Sequence, residues 1–352
     1  MFHKECCSLA RAGYEVWLVA PGDSREENGV HVAGIGPKPL GTLRRIRKGM
    51  PAKAYKKALS LDCDVYHIHD PELLPYAARL KKRGKTVIFD SHEFYSLLIE
   101  EKEYVPGPLR KTAAALYTAM ETSVLRRLDA VITPCTVEGK NLFEGRARRT
   151  VFVDNLPVSE SFQGPEAPAP ESENTVGYLG SISKSRGITQ LVRACFAAGA
   201  KLRLAGPVWP AYLEELRAMK EFSCVEYEGT LPFAETPGFF RRIRVGMCTL
   251  LSVGQYDRID NLPTKVFEYM GSGLPVILSD NRASRRLAEE SGCCVCVDPE
   301  NEAQVAHAIR SLLDDPLRAE HMGRLGYQAA VERFNWANEE KKLLELYREL
   351  TT

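Results

Sequence analysis

The chain has 352 residues, too many for one ordinary hydrophobic core, and this length suits two domains of roughly 150 to 200 residues. Its hydrophobic content of 44% and charged content of 26% are typical of globular proteins. The formal net charge of +1 argues against a dedicated nucleic-acid-binding protein, and no apolar run approaches the roughly 20 residues that span a bilayer.

The first half of the chain alternates strand-like runs with helical stretches. The strand-like runs are residues 14–20, 29–34, 64–69, 86–90, 130–133 and 150–153. Such alternation predicts a parallel β-sheet covered by helices. Open parallel sheets bind ligands beyond the carboxyl ends of their strands, so the polar side chains of His69, Asp70, His92 and Glu93 are candidate site residues.

Residues 159–174 separate this half from a second alternating series. They contain four acidic residues, three prolines and no apolar pattern, which predicts an interdomain linker. The later strand-like runs are residues 175–180, 201–205, 225–228, 245–251, 275–279 and 293–297. We therefore predict an α/β protein with one Rossmann-like domain at 1–158, a second at 175–330 and a final helix within 331–352.

Ten cysteines are clustered mostly within predicted helices or strands, without paired C-x2-C spacing. This pattern predicts buried, reduced thiols in a cytoplasmic protein, and a redox or metal role remains the alternative. Asp62-Cys63-Asp64 superficially matches a metal-binding D-x-D motif. Because it precedes its strand, we interpret it as a turn, and we expect no metal requirement and no cofactor.

The segment 260–280 carries the strongest functional signal. Asp260 and Asn261 are good helix N-caps, and Pro263 suits a first helical turn. A helix that begins here directs backbone N–H groups, near Leu262 to Thr264, toward a phosphate. Glu268 lies two turns further on between aromatic residues, where ribose hydroxyls could satisfy its carboxylate. The segment predicts a nucleotide-binding site.

The same residues resemble a known family. Asp260, seven intervening residues, Glu268 and then Gly271-Ser272-Gly273-Leu274-Pro275-Val276 resemble the acid-x7-acid signature of the retaining family-4 glycosyltransferases, which have the two-Rossmann GT-B architecture. The resemblance implies that 1–158 is the acceptor domain and 175–330 the nucleotide-sugar-binding domain. It also implies that Glu268 binds the ribose and that Asp260 holds hydroxyls of the transferred sugar. The first acid is usually Glu, and the usual glycine-rich segment is replaced here by Asn261-Leu262-Pro263-Thr264. Phe334-Asn335-Trp336 resembles the start of the last helix, which crosses back to the amino-terminal domain.

A second candidate site follows the run 175–180. In the family an Arg and a Lys after the first glycine neutralise the departing diphosphate; Ser181 occupies the Arg position here and Arg186 the Lys position, with Lys184 as a helper. The alternative is a solvated turn in which Ser183 or Ser185 caps the next helix. Gly180 starts this loop, and Gly206 follows the next strand, where relatives contact the base and phosphates; both glycines could equally be ordinary turn residues.

In the amino-terminal half, the resemblance implies that His92 lies at the reaction centre and donates a hydrogen bond to the transferred sugar. His69, Asp70 and Glu93 are weaker candidates for the wall of the acceptor cleft, with a purely structural role as the alternative. His67 and His69 share a strand face and could bind a metal, but the sequence shows no third and fourth ligand.

Family members normally open with a strand and a glycine-rich loop, whereas Met1 falls where the first helix should begin. We expect a truncated amino terminus that leaves two interior strands with bare edges.

A basic stretch with interleaved apolar residues suits an anionic membrane surface, and a solvated helix face is the alternative. Its cations are Arg44, Arg45, Arg47, Lys48, Lys53, Lys56 and Lys57.

The resemblance implies a glycosyltransferase that moves a sugar from a nucleotide-sugar donor to a sugar or lipid-linked acceptor with retention, without a covalent intermediate or metal. We expect a cytoplasmic protein, peripheral on the membrane if the basic stretch binds it, acting in polysaccharide or glycolipid assembly. One alternative is a sugar-nucleotide 2-epimerase of the same fold. The other is a non-catalytic nucleotide-sugar-binding or partner subunit.

Overall fold

The computed structural model describes residues 1–37, 49–101, 106–165, 174–252 and 258–351. They form two compact units, Met1–Asn155 together with Trp336–Thr352, and Leu156–Asn335. Each unit contains parallel β-sheet and helices, which confirms the predicted α/β class. The last segment of the chain belongs to the amino-terminal unit.

The amino-terminal unit contains two sheets. Strands β1 (Val16–Ala20), β2 (Arg25–Glu27) and β3 (Val30–Gly34) form one sheet in the order β1-β3-β2, in which β2 is antiparallel to β3. Strands β4 (Val65–His69), β5 (Thr86–Asp90), β6 (Ala130–Thr133) and β7 (Thr150–Phe152) form a parallel sheet in chain order. Within the described ranges β1 and β4 each end a sheet, and a cavity of about 620 Å³ is lined by residues of both strands.

Helices cover these strands. They are a π-helical turn at Phe2–Cys6, then α1 (Cys7–Arg11), α2 (Met50–Leu61), α3 (Leu74–Lys82), α4 (Tyr95–Glu101), α5 (Gly107–Leu125) and the last helix, α13 (Trp336–Thr351). The last helix is amphipathic and buries Leu343 and Leu346 completely. Trp336 Nε1 donates to Ser8 Oγ over 2.9 Å, and the Asp154 N–H donates to Glu339 Oε2 over 2.8 Å. These contacts attach α13 to its unit.

The carboxyl-terminal unit is built on one six-stranded parallel sheet in the order β10-β9-β8-β11-β12-β13. The strands are β8 (Thr175–Leu179), β9 (Lys201–Ala205), β10 (Val225–Tyr227), β11 (Val245–Cys248), β12 (Val276–Ser279) and β13 (Cys294–Val297). The helices are α6 (Ile188–Ala198), α7 (Pro210–Arg217), α8 (Thr236–Arg241), α9 (Thr264–Gly271), α10 (Arg282–Ser291), α11 (Glu302–Leu313) and α12 (Pro316–Glu332). Apolar side chains from both faces of the sheet make the core.

All twelve predicted strands are present, and their ends differ from the predicted ends by three residues at most. Strand β2 was not predicted, because its three charged residues lie at the exposed edge of a sheet and show no apolar alternation. Part of the stretch expected as a linker packs on the carboxyl-terminal unit: the Gly164 N–H donates to the Gly271 carbonyl over 3.1 Å, and Phe162 contacts Gly271. Residues 166–173 lie outside the described residues.

The ten cysteines are free thiols in this structure, six of them buried and four half-buried. None of the helices in the described part of the chain has the length and apolar character that a transmembrane segment needs. The predicted basic stretch is described only in part. Arg44, Arg45, Arg47 and Lys48 lie outside the described residues, whereas Lys53 and Lys56 are exposed on α2.

Candidate functional site

Two glycine loops meet at the carboxyl edge of the larger sheet. Gly180 follows β8 and Gly206 follows β9, and the Gly180 N–H donates to the Ala205 carbonyl over 2.9 Å. Their φ angles are +138° and +141°, a region that favours glycine. A Cβ built on Gly206 would overlap the Gly180 carbonyl oxygen. The structure therefore brings these two predicted site residues together through their backbones.

The two predicted cations of the loop after Gly180 have different surroundings. Lys184 and Arg186 belong to one short 3₁₀ turn, and α6 begins at Ile188 with Gly187, not a serine, at its N-cap. The Lys184 ammonium lies 2.6 Å from Glu215 Oε2, and its side chain is 68% exposed. Arg186 is half-buried, and it lies close enough to Lys265 to influence that ammonium electrostatically. Of the two predicted cations, Arg186 is the one that acts on Lys265, the cation beside Gly180.

Lys265 is a cation that the sequence interpretation missed. Its Nζ lies 3.7 Å from the centroid of the Tyr178 ring, and a Cβ built on Gly180 would lie 2.6 Å from Nζ. Desolvation lowers the pKa of Lys265 to about 8, and the nearby Arg186 cation acts in the same direction. The ammonium therefore occupies the space that the missing side chain of Gly180 leaves at the end of β8.

The start of α9 differs from the sequence prediction. Asp260 and Asn261 were expected as N-caps, but this was wrong: the helix begins at Thr264, and Pro263 is its N-cap with φ −58° and ψ 140°. Proline disfavours the helical conformation of the residue before it, which keeps Leu262 out of the helix. The Leu262 N–H donates to Asn261 Oδ1 over 2.7 Å, and Pro263 has no N–H group. Of the backbone N–H groups expected to face a phosphate at Leu262 to Thr264, that of Thr264 is therefore the remaining candidate.

Helix α9 also positions Glu268. The Tyr269 ring is completely buried, and its hydroxyl accepts a hydrogen bond from the Leu179 N–H over 3.0 Å, which fixes the helix against β8. Glu268 is half-buried and three residues after Lys265, so the two side chains lie on one helix face. Its carboxylate is close enough to favour the charged form of Lys265. Arg186, Lys265 and Glu268 thus form one charged group at the carboxyl end of β8.

Asp260 is buried, with 7% of its surface exposed. The Arg282 Nε lies 3.5 Å from Asp260 Oδ1, and Arg286 donates to the Asp260 carbonyl oxygen over 3.2 Å. Both arginines belong to α10. The predicted sugar-binding carboxylate is therefore held from the first turns of the following helix, a contact that the sequence signature did not indicate.

In the amino-terminal unit, the predicted histidines gather at the carboxyl ends of β4 and β5. His69 is the register partner of Asp90 across the two strands. His69 Nδ1 lies 2.8 Å from His92 Nε2, and the two rings stack with centroids 5.0 Å apart. The His67 ring stacks on His69 at 4.7 Å, as expected for two residues on one strand face.

The other two acceptor-cleft candidates stand at the edge of this group. The side chain of His92 is 45% exposed, and Glu93 beside it is exposed as well. Asp70 has a φ of +68°, which is unusual for a residue with a side chain. Such a conformation costs about 1 to 3 kcal/mol and is common at functional sites.

Buried charges set the ionisation of this group. Desolvation lowers the pKa of His69 well below its ordinary value, and the proximity of His67 adds to the effect. Burial opposes the ionisation of Asp90, but the adjacent His67, His69 and His92 imidazoles hold its pKa below the ordinary value. Burial opposes protonation of His67 as well, yet Asp90 and Glu5 raise its pKa. The group therefore favours an anionic Asp90 beside a neutral His69.

The chain matches two family models. The model described as Glycosyltransferase Family 4 matches residues 3–155, and the model described as Glycosyl transferase-like matches residues 186–345. An alpha-maltose-1-phosphate synthase from Mycolicibacterium smegmatis is 28% identical in an alignment of 195 residues that covers 50% of this chain and 48% of that protein. The match thus spans about half the length of that curated relative.

Solved structures share the fold over nearly the whole chain. Sucrose-phosphate synthase from Thermosynechococcus elongatus has a TM-score of 0.78 at 18% identity and covers 98% of this chain and 91% of its own. Anabaena HepE in complex with UDP and glucose has a TM-score of 0.72 at 14% identity and covers 97% and 94%. A glycosyltransferase from Rickettsia africae has a TM-score of 0.68 at 11% identity and covers 99% and 93%. These likenesses confirm the predicted GT-B fold.

Proposed function

We propose that this chain is a glycosyltransferase that transfers a sugar from a nucleotide-sugar donor to a hydroxyl group of an acceptor, in keeping with the family models that match residues 3–155 and 186–345. The observation that carries the proposal is the grouping of Arg186, Lys265 and Glu268 beside the Gly180 loop. Two cations and one carboxylate there match the two parts of a nucleoside diphosphate, its phosphates and its ribose.

The diphosphate is the proposed partner of the two cations. Arg186 offers a planar fork of N–H donors, and Lys265 offers a point charge that is already desolvated. The amide of Thr264 at the start of α9 adds a donor at the positive end of the helix dipole. As the bond to the sugar breaks, negative charge grows on the diphosphate, and these fixed groups stabilise it.

Glu268 and Asp260 are the proposed partners of hydroxyl groups. Glu268 accepts hydrogen bonds from the ribose, and its position on α9 is fixed by the buried Tyr269. Asp260 orients hydroxyls of the transferred sugar, with Arg282 holding its carboxylate. A crystal structure of Anabaena HepE with UDP and glucose supports a donor of this kind in the fold.

The sugar and the acceptor are proposed to contact the amino-terminal unit through His92. Its ring is held by the stack on His69 yet remains partly exposed, so it can donate one hydrogen bond to the sugar. His69, Asp70 and Glu93 border the acceptor. We propose that the acceptor attacks on the face from which the diphosphate leaves, so that the anomeric configuration is retained, and that no metal takes part in this step.

We propose further that the acceptor is a lipid-linked molecule at a membrane surface. Lys53 and Lys56 are exposed on α2, and they continue the basic stretch that begins at Arg44. Cations near an anionic membrane each contribute about 1 kcal/mol of attraction. Sedimentation with anionic vesicles, compared between the wild type and a Lys53→Glu, Lys56→Glu double variant, tests this part separately.

The test of the donor site is a panel of UDP-, GDP- and ADP-sugars read by thermal unfolding. One nucleotide at about 100 times its dissociation constant should stabilise the wild type by about 2.7 kcal/mol. Glu268→Ala and Arg186→Ala should lose this stabilisation. Matched controls are Glu289→Ala and Arg193→Ala, which change exposed residues of α10 and α6. The site assignment fails if no nucleotide stabilises the protein or if both site variants respond like the wild type.

Turnover distinguishes the alternatives. A transferase releases nucleoside diphosphate in proportion to added acceptor, whereas a 2-epimerase changes the sugar nucleotide without an acceptor. A non-catalytic subunit binds the donor and releases nothing. Acceptor-dependent release of UDP, GDP or ADP, lost in Glu268→Ala, supports the proposal.

A further inference from the structure

We propose that Glu5, His67, His69 and Asp90 form a binding site for a divalent transition-metal ion, with Zn²⁺ as the best-fitting ion. The four residues come from three elements: the turn Phe2–Cys6, strand β4 and strand β5. Each offers one ligand atom, and these atoms all lie within 4.8 Å of one another. The site lies in the amino-terminal unit and includes none of the proposed donor-binding residues.

The distances are close to those of a metal centre. His67 Nε2 lies 3.5 Å from Asp90 Oδ2, and His69 Nε2 lies 3.6 Å from Glu5 Oε2. Four ligands at about 2.0 Å around a tetrahedral ion stand about 3.3 Å apart. The observed pairs therefore need only a small contraction to surround an ion. The remaining atoms, within 4.8 Å, can close by side-chain rotation.

Each of the two imidazoles is oriented by a hydrogen bond at the ring nitrogen that does not face the cluster. His67 Nδ1 lies 3.0 Å from the Tyr347 hydroxyl, which leaves Nε2 directed into the cluster. His69 Nδ1 lies 2.8 Å from His92 Nε2, which leaves its Nε2 facing Glu5. Metal-bound histidines almost always have such a partner on the other ring nitrogen, because it fixes the ring and its tautomer.

The cluster also has unsatisfied buried atoms. Glu5 Oε2 and His67 Nε2 are both buried without a hydrogen-bond partner. The side chains of Glu5, His67 and Asp90 are 11%, 10% and 6% exposed. An unsatisfied buried polar atom destabilises a fold, and buried carboxylates without a full set of donors are rare. A cation bound between these atoms would satisfy both and compensate the two carboxylates.

The ligand set selects the kind of ion. Two imidazoles and two carboxylates suit Zn²⁺ and related transition metals, whereas Mg²⁺ prefers oxygen ligands and keeps several waters. Four protein ligands make a closed, structural site. Glu5 and His67 also line the cavity between β1 and β4, which gives an ion a route to the site. The bound ion would join the amino-terminal turn to the two strands that position His92.

The experiment uses the full chain without a histidine tag, stripped with a chelator and dialysed. Isothermal titration with Zn²⁺ should show one equivalent bound, and the melting temperature should rise on addition of Zn²⁺ and not of Mg²⁺. Co²⁺ in the same site should give the visible absorption of a tetrahedral centre. Glu5→Gln and His67→Asn should each weaken Zn²⁺ binding by at least about tenfold.

The matched control is His31→Asn. His31 Nδ1 lies 3.7 Å from Glu26 Oε2 in the same unit, and among the described residues this pair of the same residue types belongs to no cluster of three or more metal-ligating side chains. It should bind Zn²⁺ like the wild type. Near-ultraviolet circular dichroism of the metal-free proteins shows whether each variant is folded. If His67→Asn does not fold, Glu5→Gln still tests the site, because glutamine keeps the shape of the glutamate side chain. Failure to bind one equivalent, or equal Zn²⁺ affinity in wild type and a folded ligand variant, overturns the proposal.

Discussion

The Lys265 ammonium lies 3.7 Å from the centroid of the Tyr178 ring. The contact joins the first turn of α9 to β8, and the absence of a side chain at Gly180 makes room for it. The ring face attracts the cation and compensates part of its desolvation. Desolvation nevertheless lowers the pKa of Lys265 to about 8, so an anionic ligand that contacted Nζ would be bound strongly.

Replacement of this cation is therefore informative. Lys265→Met should weaken the binding of the preferred nucleoside diphosphate by roughly 10- to 100-fold, because a charge-assisted hydrogen bond to phosphate is worth about 1.5 to 3 kcal/mol. The ligand-free protein should keep or gain stability, since methionine can replace the buried stem without a desolvated charge. Titration calorimetry and urea unfolding measure the two effects. Lys201→Met, which removes an exposed lysine at the other end of β9, is the matched control and should change neither.

Nucleotide affinity should depend on pH through the same residue. The pKa of Lys265 is about 8, so the ammonium loses its proton as the pH rises through this value, and the affinity for a diphosphate should fall between about pH 7 and 9. In Lys265→Met the affinity should be lower and nearly constant over this range. An equal pH profile in the two proteins would show that another group is responsible.

The stability of the ligand-free protein should change in the opposite direction. The unfolded chain holds the Lys265 proton up to about pH 10.4, whereas the folded protein releases it near 8, so the unfolded state binds more protons between these values. The free energy of unfolding of the wild type, relative to Lys265→Met, should therefore rise by up to about 3 kcal/mol from pH 8 to pH 10.4. Urea titrations of both proteins measure this difference. A falling difference would contradict the lowered pKa.

The backbone contact between the two glycine loops predicts a further effect. Gly206→Ala places a Cβ against the Gly180 carbonyl at a φ of +141°, so it should destabilise the protein by several kcal/mol and weaken nucleotide binding. Gly238→Ala on α8 is the control, because a Cβ there meets nothing within 4 Å and alanine favours the helix. It should change the unfolding free energy by about 1 kcal/mol at most. Chemical denaturation compares the two.

His92 provides a test of the sugar contact. His92→Gln should lower kcat by about 10²- to 10³-fold, the usual effect of removing one hydrogen-bond donor to the transition state. Nucleotide affinity and melting temperature should stay near the wild-type values, because the side chain is 45% exposed and lies in the amino-terminal unit. His31→Gln is the control. Full kcat in His92→Gln would show that His92 is not part of the proposed site.

The sequence predicted the strands better than the start of the main helix. Strands β5 and β6 have the predicted bounds, because apolar β-branched runs between polar residues specify a buried strand locally. The start of α9 was predicted too early, since Asp260 and Asn261 are good caps by residue type. The competing local rule, that a residue before proline avoids the helical conformation, determined the result at Leu262.

The sequence by itself determined the α/β class and the resemblance to glycosyltransferases, because these depend on residue types at short, fixed spacings. Only the tertiary structure showed that Lys265 enters the gap at Gly180 and that Glu5 and Asp90 complete the cluster begun by His67 and His69. Such contacts join residues that are distant along the chain, or they depend on the absence of a side chain at a glycine. Parallel strands bring their carboxyl ends together whatever their separation in sequence, and no local pattern records which side chains then meet.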